Sequence, residues 1–418
     1  MARTLDVYFA NTIAARLHQD DAAALSLTYD QTYLASPPAR AVSVSMPLRS
    51  EPWPDQQVRP FFSGLLPDEG ARQRLAAALG ISAANAFGLL EIIGGECAGA
   101  LSLFPAGTAP PATDDDIELL GPDHLATVLE KLRTRPLLGG EAGVRLSLAG
   151  AQDKLAVCLK DETLALPKGG RPTTHILKPA IPTLKGAAHN EYFCMCLAAA
   201  LNLPVPSVQI GHAGDTPYLL IARYDREILP DGRIQRLHQE DFCQALSIPP
   251  ELKYEDEGGP GTQAALALIG RATAQPATDQ LSFLRRVIFN YLVGNADAHA
   301  KNFALLYKRR IPDLAPLYDV LCTAAYPRLA KKLAMSIGNR SVPDTIQLSN
   351  WYALVPDTRG SKRLLAKNIS LMAAEAPSAA DALIEQMKDQ GLDHPILATI
   401  RDIITTRSQH LSRITSAL

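Results

Sequence analysis

The segment YLVGNADAHAKNFALLY, residues 291–307, places Asp297, His299, Lys301 and Asn302 within six positions, with apolar runs on both sides. Asp297 and Asn302 are five apart, the Asp-x-x-x-x-Asn spacing of a phosphoryl-transfer loop. There a carboxylate accepts the proton of an acceptor hydroxyl, while an amide oxygen beside it helps to hold magnesium. A second carboxylate, Asp319 in LAPLYDVL, lies on a separate apolar segment. It can supply the charged ligand that magnesium takes together with phosphate oxygens. FALLY and the turn KRRIPD read as a hairpin that folds Asp319 back beside Asn302. Two other readings stay open on these residues alone. A polar turn between helix and strand is commonly built from Asp, Lys and Asn. Asp297, His299 and Asp319 could also ligate a transition metal, although no second histidine lies near them.

Phosphoryl transfer also needs donors over the phosphates and a cation against them. SLAGAQDK (147–154) lies between two strand-like runs and has small residues at Ala149, Gly150 and Ala151. Such a turn can turn its backbone N–H groups toward phosphate oxygens. Lys178 ends the apolar run THILKP, and Glu191 on the next helical stretch could pair with it. YLLIARYDRE (218–227) ends a further strand, where backbone groups at Ala222, Arg223 and Tyr224 would face a nucleotide base. Each piece is weak alone, since one glycine makes no phosphate loop and a strand ending in a charged turn is ordinary. The order carries the argument: loop, strand, lysine, helix glutamate, two strands, helices, Asp, Asn, second Asp.

The elements that must hold these residues follow from periodicity. TLDVYFA, LSLTYD and AVSVSMPL read as short strands, followed by helical DEGARQRLAAALG and SAANAFGLLEIIG. They predict a small α+β domain over 1–106, ending at the Pro/Ala/Thr-rich linker FPAGTAPPATDDD (104–116). After the helical DHLATVLEKLRTRP come the strand-like GVRLSL (143–148), KLAVCLK and THILKP, the helix AAHNEYFCMCLAAALNL, and the strands PSVQIG and PYLLIARYD. This predicts a strand-rich lobe over 107–226. From LHQEDFCQALS onward the pattern is helical, which predicts an all-helical lobe over 227–418. Strands grouped first and helices after predict an α+β protein of two lobes with a cleft for a ligand.

Composition narrows the function. Of 418 residues, 47% are apolar and 20% charged, an ordinary globular balance. A formal net charge of −2 argues against nucleic-acid binding by bulk charge, with RLAKKLAMSIGNRS (328–341) as a local basic candidate. The six cysteines are scattered, with neither zinc spacing nor a disulfide framework, as expected of thiols in a reducing cytoplasm. The N-terminus lacks the apolar core of a signal peptide, and no run reaches the ~20 apolar residues of a membrane helix. A soluble, cytoplasmic protein without membrane association is expected.

SLAGAQDKLAV, THILKP, NEYFCMCLAAALNLPVP, IARYDR, NADAHAKNFALLY and LAPLYDVL, in this order, resemble the HipA family of bacterial serine/threonine kinase toxins. RPFFSGLLPDEGARQRLAAALGI is similar to that family's first domain, so the resemblance spans most of the chain. It implies a two-lobed protein-kinase-like fold with an extra N-terminal α+β domain, and transfer of the ATP γ-phosphate to a protein serine with Mg2+. By residue it implies Asp297 as the base and Asn302 and Asp319 as magnesium ligands. Ala149, Gly150, Ala151, Gln152, Asp153 and Lys154 would form the phosphate loop, with Lys178 on the phosphates. His299, Lys301 and Tyr318 would complete the nucleotide site. Ser147 stands where family members autophosphorylate and switch themselves off.

The resemblance further implies a helix-turn-helix antitoxin, HipB-like, as partner, with DNA reached only through it. Its best-known target class is glutamyl-tRNA synthetase, an aminoacyl-tRNA synthetase. The chain lacks a Gly-x-Gly-x-x-Gly loop, and Tyr318-Asp319-Val320 replaces Asp-Phe-Gly. Other functions stay open: a same-fold kinase of another protein or a small molecule, and an operator-binding co-repressor scaffold. A scaffold need not keep Asp297, Asn302, Asp319 and Lys178 together.

Overall fold

The computed structural model describes residues 2–37, 39–111 and 117–416. The chain forms two compact units. One comprises Met1–Pro179, Gly211–Glu251 and Ala304–Asp313, the other Ala180–Ile210, Leu252–Phe303 and Leu314–Leu418.

The first unit opens with a four-stranded antiparallel sheet in the order Leu25–Tyr29, Thr12–Gln19, Arg3–Phe9, Leu101–Pro105. Leu5, Val7, Leu17, Leu27 and Leu103 are fully buried in it. Their core is shared with Phe61 and Phe62 of the helix Asp55–Gly64, Leu75 of Glu69–Leu79, and Leu89 and Leu90 of Ala86–Ile93. The last helix starts at Asn85, whose side chain accepts the Gly88 N–H at 3.0 Å and so caps the first turn. A second sheet runs Ile117–Leu119, Thr163–Pro167, Leu155–Lys160, His175–Pro179, Thr216–Ala222, with a further strand at its edge. Its antiparallel register sets Leu177 opposite Leu220 and Leu155, so apolar side chains meet across neighbouring strands.

Several sequence expectations change here. AVSVSMPL is no strand; it is a turn closed by one bridge between Ser43 and Met46. GVRLSL is likewise irregular, touching the rest of the unit through single bridges, Glu96 to Leu146 and, beyond the run, Pro67 to Gly150. LHQEDFCQALS begins as the strand His238–Asp241 and turns helical only over Phe242–Ala245, where Asp241 and Gln244 form a reciprocal cap. The segment expected to be all-helical from 227 therefore carries strands at Ile234–Arg236, His238–Asp241 and Ala304–Tyr307. Of the expected linker, Leu101–Pro105 closes the first sheet, and residues 112–116 lie outside the described residues.

The second unit is helical: Ala187–Ala200, Thr262–Ala272, Pro276–Val293, Arg359–Asp389 and Ile396–Thr415. Phe283, Ile288, Phe289 and Leu292 are fully buried on different sides of Pro276–Val293, so the C-terminal half of the helix that leads into the polar segment is enclosed all round. Asn190, fully buried on Ala187–Ala200, clamps the chain at Cys322: its Nδ2 donates to the Cys322 carbonyl (3.1 Å) and its Oδ1 accepts the Cys322 N–H (2.8 Å). Among the described residues no helix is long and apolar enough to cross a membrane.

Candidate active site

Helix Pro276–Val293 stops at Gly294, whose φ of +76° lies in the left-handed region that glycine adopts without strain. A Cβ here would lie 3.0 Å from both Ala324 Cβ and Ile403 Cγ2, so the turn needs glycine for space as well. Beyond it the loop is pinned by short polar contacts. Asn295 donates its N–H to the Asn290 carbonyl (2.9 Å) and its Nδ2 to Asn290 Oδ1 (2.9 Å), and accepts the Asp297 N–H on Oδ1 (3.0 Å). Thr323 accepts the Ala296 N–H (2.8 Å) and donates to the Gly294 carbonyl (3.2 Å). Asn302 Nδ2 and the His299 N–H both donate to the Asp297 carbonyl, at 3.0 and 2.8 Å. His299, Lys301 and Asn302 are buried by this folding, while Asp297 is left exposed. A tightly held loop thus presents one carboxylate to incoming molecules.

The expected hairpin is present, with Ala304–Tyr307 and Asp313–Leu314 neighbours in one sheet. The chain then returns to the loop: Tyr318 donates its hydroxyl to the Lys301 carbonyl at 2.7 Å, which ties the segment carrying Asp319 to the one carrying Asn302. Asp319 has a φ of +58°, a conformation that aspartate tolerates better than most residues. Because the Asn302 amide nitrogen is spent on Asp297, its Oδ1 is the atom left to meet a cation. One amide oxygen and one carboxylate suit magnesium, which draws its other ligands from water and phosphate. No group of three or more His, Cys, Asp or Glu suited to a metal ion is found among the described residues, which speaks against the transition-metal reading of Asp297, His299 and Asp319. The His299 ring instead packs edge-on against Tyr254, with centroids 5.2 Å apart at 82°.

In the first unit the residues 147–154 form a closed turn. Gly150 has a φ of +109°, Lys154 Nζ donates to the Ala149 carbonyl at 2.6 Å, and Arg74 holds Asp153 at 2.5 Å. The N–H groups of Ala149, Ala151, Gln152 and Asp153 donate to no acceptor among the described residues, which leaves a row of donors of the kind that cradles phosphate. Gln152 Nε2 reaches the Pro179 carbonyl at 3.2 Å, tying this turn to the strand end that carries the buried Lys178. Ser147 is fully buried; its hydroxyl donates to the Leu65 carbonyl (2.7 Å) and its N–H to the Glu96 carbonyl (2.8 Å).

The strand end at Ala222–Tyr224 is more heavily used than the sequence suggests. Ala222 pairs with His175 in the sheet, and the Arg223 N–H donates to the Thr174 carbonyl at 2.9 Å, so that N–H is not offered to a base. The Arg223 side chain enters a buried ionic cluster, and Tyr224 donates its hydroxyl to Gln239. Glu96 accepts from Thr173 Oγ1 (2.6 Å), Arg223 (3.1 Å) and Arg226 (2.7 Å). Asp225 grips Arg223 through both oxygens (2.9 and 2.8 Å) and accepts the Gly99 N–H (2.7 Å). Burial alone would raise the Glu96 pKa, but Arg226, Arg223, Arg236 and the Thr173 hydroxyl hold it down at about 2. Sequence patterning gave no sign of this cluster, nor of Tyr254, whose hydroxyl donates to Asp297 Oδ1 at 2.8 Å from 43 positions away.

Comparison with known proteins supplies the context. The HipA-like C-terminal domain family matches residues 146–390 and the HipA N-terminal domain family matches 5–104. A protein of Sinorhizobium fredii named as a putative kinase is 41% identical over 97% of this chain and 98% of its own length. The serine/threonine-protein kinase toxin HipA of Shewanella oneidensis is 29% identical over 78% of this chain and 77% of its own. A solved structure described as the Shewanella oneidensis toxin–antitoxin system HipA, HipB and its operator DNA complex superposes with a TM-score of 0.86 at 25% identity, covering 99% of each chain. The α+β, protein-kinase-like architecture expected from the sequence is the one observed.

Proposed function

The chain belongs to the HipA family of serine/threonine kinase toxins, and on that premise we propose that it transfers the γ-phosphate of ATP to a serine hydroxyl of another protein. The observation that carries this is the exposed Asp297 on an otherwise buried and pinned loop, with Asn302 five residues on and Asp319 brought alongside. Asp297 accepts the proton of the attacking hydroxyl. Lys178 and the N–H groups of Ala149, Ala151, Gln152 and Asp153 would bind the phosphates. Asn302 and Asp319 would hold magnesium, which would supply positive charge against the phosphoryl group. His299 and Lys301 shape the loop beneath it.

Ser147 is the autophosphorylation site in this proposal. Its hydroxyl is sealed in the folded turn, so it is modified only after the turn opens. A phosphoserine of about −1.5 to −2 charge cannot return to that buried place, and the turn would stay out of the site. By family resemblance the target is a translation-related protein of the glutamyl-tRNA synthetase class. A HipB-like helix-turn-helix antitoxin would neutralise the kinase and link it to DNA, a partnership supported by the solved HipA, HipB and operator DNA complex. That complex also keeps a second reading alive, in which the chain serves chiefly as a co-repressor scaffold. Incubation of the purified protein with labelled ATP, magnesium and a cell lysate separates the two. A labelled synthetase supports the first; the absence of any labelled protein supports the second.

A further inference from the structure

The Tyr254 hydroxyl donates to Asp297 Oδ1 at 2.8 Å, the contact that an acceptor hydroxyl makes with a catalytic base. Both groups sit at the solvent-facing rim rather than in a core, so the bond contributes little to holding the fold together. Yet both of its ends are fixed. The Tyr254 carbonyl accepts the N–H groups of Gly259 (2.8 Å) and Glu257 (3.2 Å), closing a turn. Gly259 is required there, because a Cβ would fall 2.0 Å from the Leu252 carbonyl oxygen. The Glu255 N–H donates to the Ala334 carbonyl (3.2 Å), and the Ala334 N–H donates to Ala296 (2.9 Å), the residue before Asp297. Glu255 also accepts the Ser336 hydroxyl at 2.8 Å, and the Ala300 N–H reaches the Lys253 carbonyl at 3.4 Å. The turn and the loop are thus bolted together on both sides of the phenol. The ring edge of His299 limits where that phenol can swing.

We propose that Tyr254 is a positioning residue that stands in for the acceptor hydroxyl on Asp297 while no protein substrate is bound. This rests on Asp297 being the base. In the resting protein the phenol holds the carboxylate in its working orientation and keeps water off Oδ1. An arriving serine hydroxyl displaces it. The reaction it suppresses is hydrolysis of ATP. There the oxygen of a water molecule bonds to the γ-phosphorus and the bridging bond to ADP breaks. The water's proton passes to Asp297 and then to solvent, giving ADP and inorganic phosphate. A phenylalanine would keep the packing on His299 but could not donate.

The test is Tyr254→Phe in the full-length protein with Mg–ATP and no added acceptor, measured as inorganic phosphate released so that self-phosphorylation is not counted. Release should rise roughly three- to tenfold, the order set by one exposed hydrogen bond to a carboxylate. The rise should appear in kcat, with the KM for ATP within twofold of wild type, because the phenol acts on Asp297 and not on the nucleotide. A role confined to folding would not raise kcat at an unchanged KM, and equal urea midpoints for the two proteins check that the fold is kept. Unchanged or slower release overturns the proposal. So does phosphotyrosine at 254 in the wild-type protein, which would make Tyr254 an acceptor. Asp297→Asn, alone and combined with Tyr254→Phe, separates this from the underlying assignment. Silence in both supports Asp297 as base, whereas wild-type release from Asp297→Asn removes the base and the proposal with it.

Discussion

Replacing Glu96 with glutamine keeps the size of the side chain and removes one charge from the buried cluster of Arg223, Asp225, Arg226 and Arg236. The magnitude follows from the pKa: it falls from 4.5 to about 2 on folding, driven below its ordinary value by Arg226, Arg223 and Arg236 against the opposing effect of burial. Two and a half units at 1.36 kcal/mol each amount to about 3 kcal/mol of stability at pH 7. Because the folded pKa is the lower one, this contribution is whole above pH 4.5 and is lost as pH falls toward 2. The wild-type advantage over Glu96→Gln should therefore be about 3 kcal/mol at pH 7 and about 1 kcal/mol at pH 3. Leaving the arginines short of a partner adds to the deficit at neutral pH. Urea unfolding followed by Trp53 fluorescence reports on this unit, and the pH 7 midpoint should drop by about 1 M. Equal midpoints at pH 7, or a gap that does not narrow in acid, would refute the account of the cluster.

Lys178→Ala should weaken ATP binding by about tenfold in calorimetry, through loss of a point charge on the phosphates; unchanged affinity and turnover would place Lys178 outside the nucleotide site. Gly294→Ala should destabilise the second unit by about 1–3 kcal/mol, since a left-handed φ and contacts at 3.0 Å both oppose a methyl group. Urea unfolding followed at the buried Trp351 measures it, and wild-type stability would contradict the reason given for the glycine. Ser147→Ala should stay active longer in Mg–ATP and carry no phosphate on residues 147–154 by mass spectrometry. A wild-type protein phosphorylated only elsewhere would remove the switch.

What was legible in the sequence was local. Asp297 and Asn302 share one short loop, and the hairpin of Ala304–Tyr307 and Asp313–Leu314 is encoded between Asn302 and Asp319, so the local sequence showed the chain turning back. The turn at 147–154 was visible because Gly150 sits among small residues after an apolar run. The misread segments were short ones whose apolar pattern suits either period. LHQEDFCQALS is apolar enough to pass for a helix, but His238–Asp241 is drawn into a strand by pairing with Ala304–Tyr307, more than sixty positions away. The buried cluster was invisible for the same reason: Glu96 meets Thr173, Arg223 and Arg226 across 77, 127 and 130 positions, and no periodicity records such partners. The strand end at Ala222–Tyr224 was expected to turn backbone groups toward a nucleotide base, and nothing local showed that the Arg223 N–H donates to the Thr174 carbonyl or that its guanidinium joins the cluster. Tyr254 was hidden in the acidic run KYEDEGG, which reads as a solvated turn until the fold sets its hydroxyl on Asp297.

The central claim is that Asp297 is the base of a phosphoryl transfer, and its most direct test is the rate of phosphate transfer from labelled ATP by Asp297→Asn set beside its ATP affinity. The account predicts a loss of transfer of roughly 10²- to 10⁴-fold, the range for removal of a general base, with ATP binding within a few-fold of wild type. Transfer within a few-fold of the wild-type rate would contradict it.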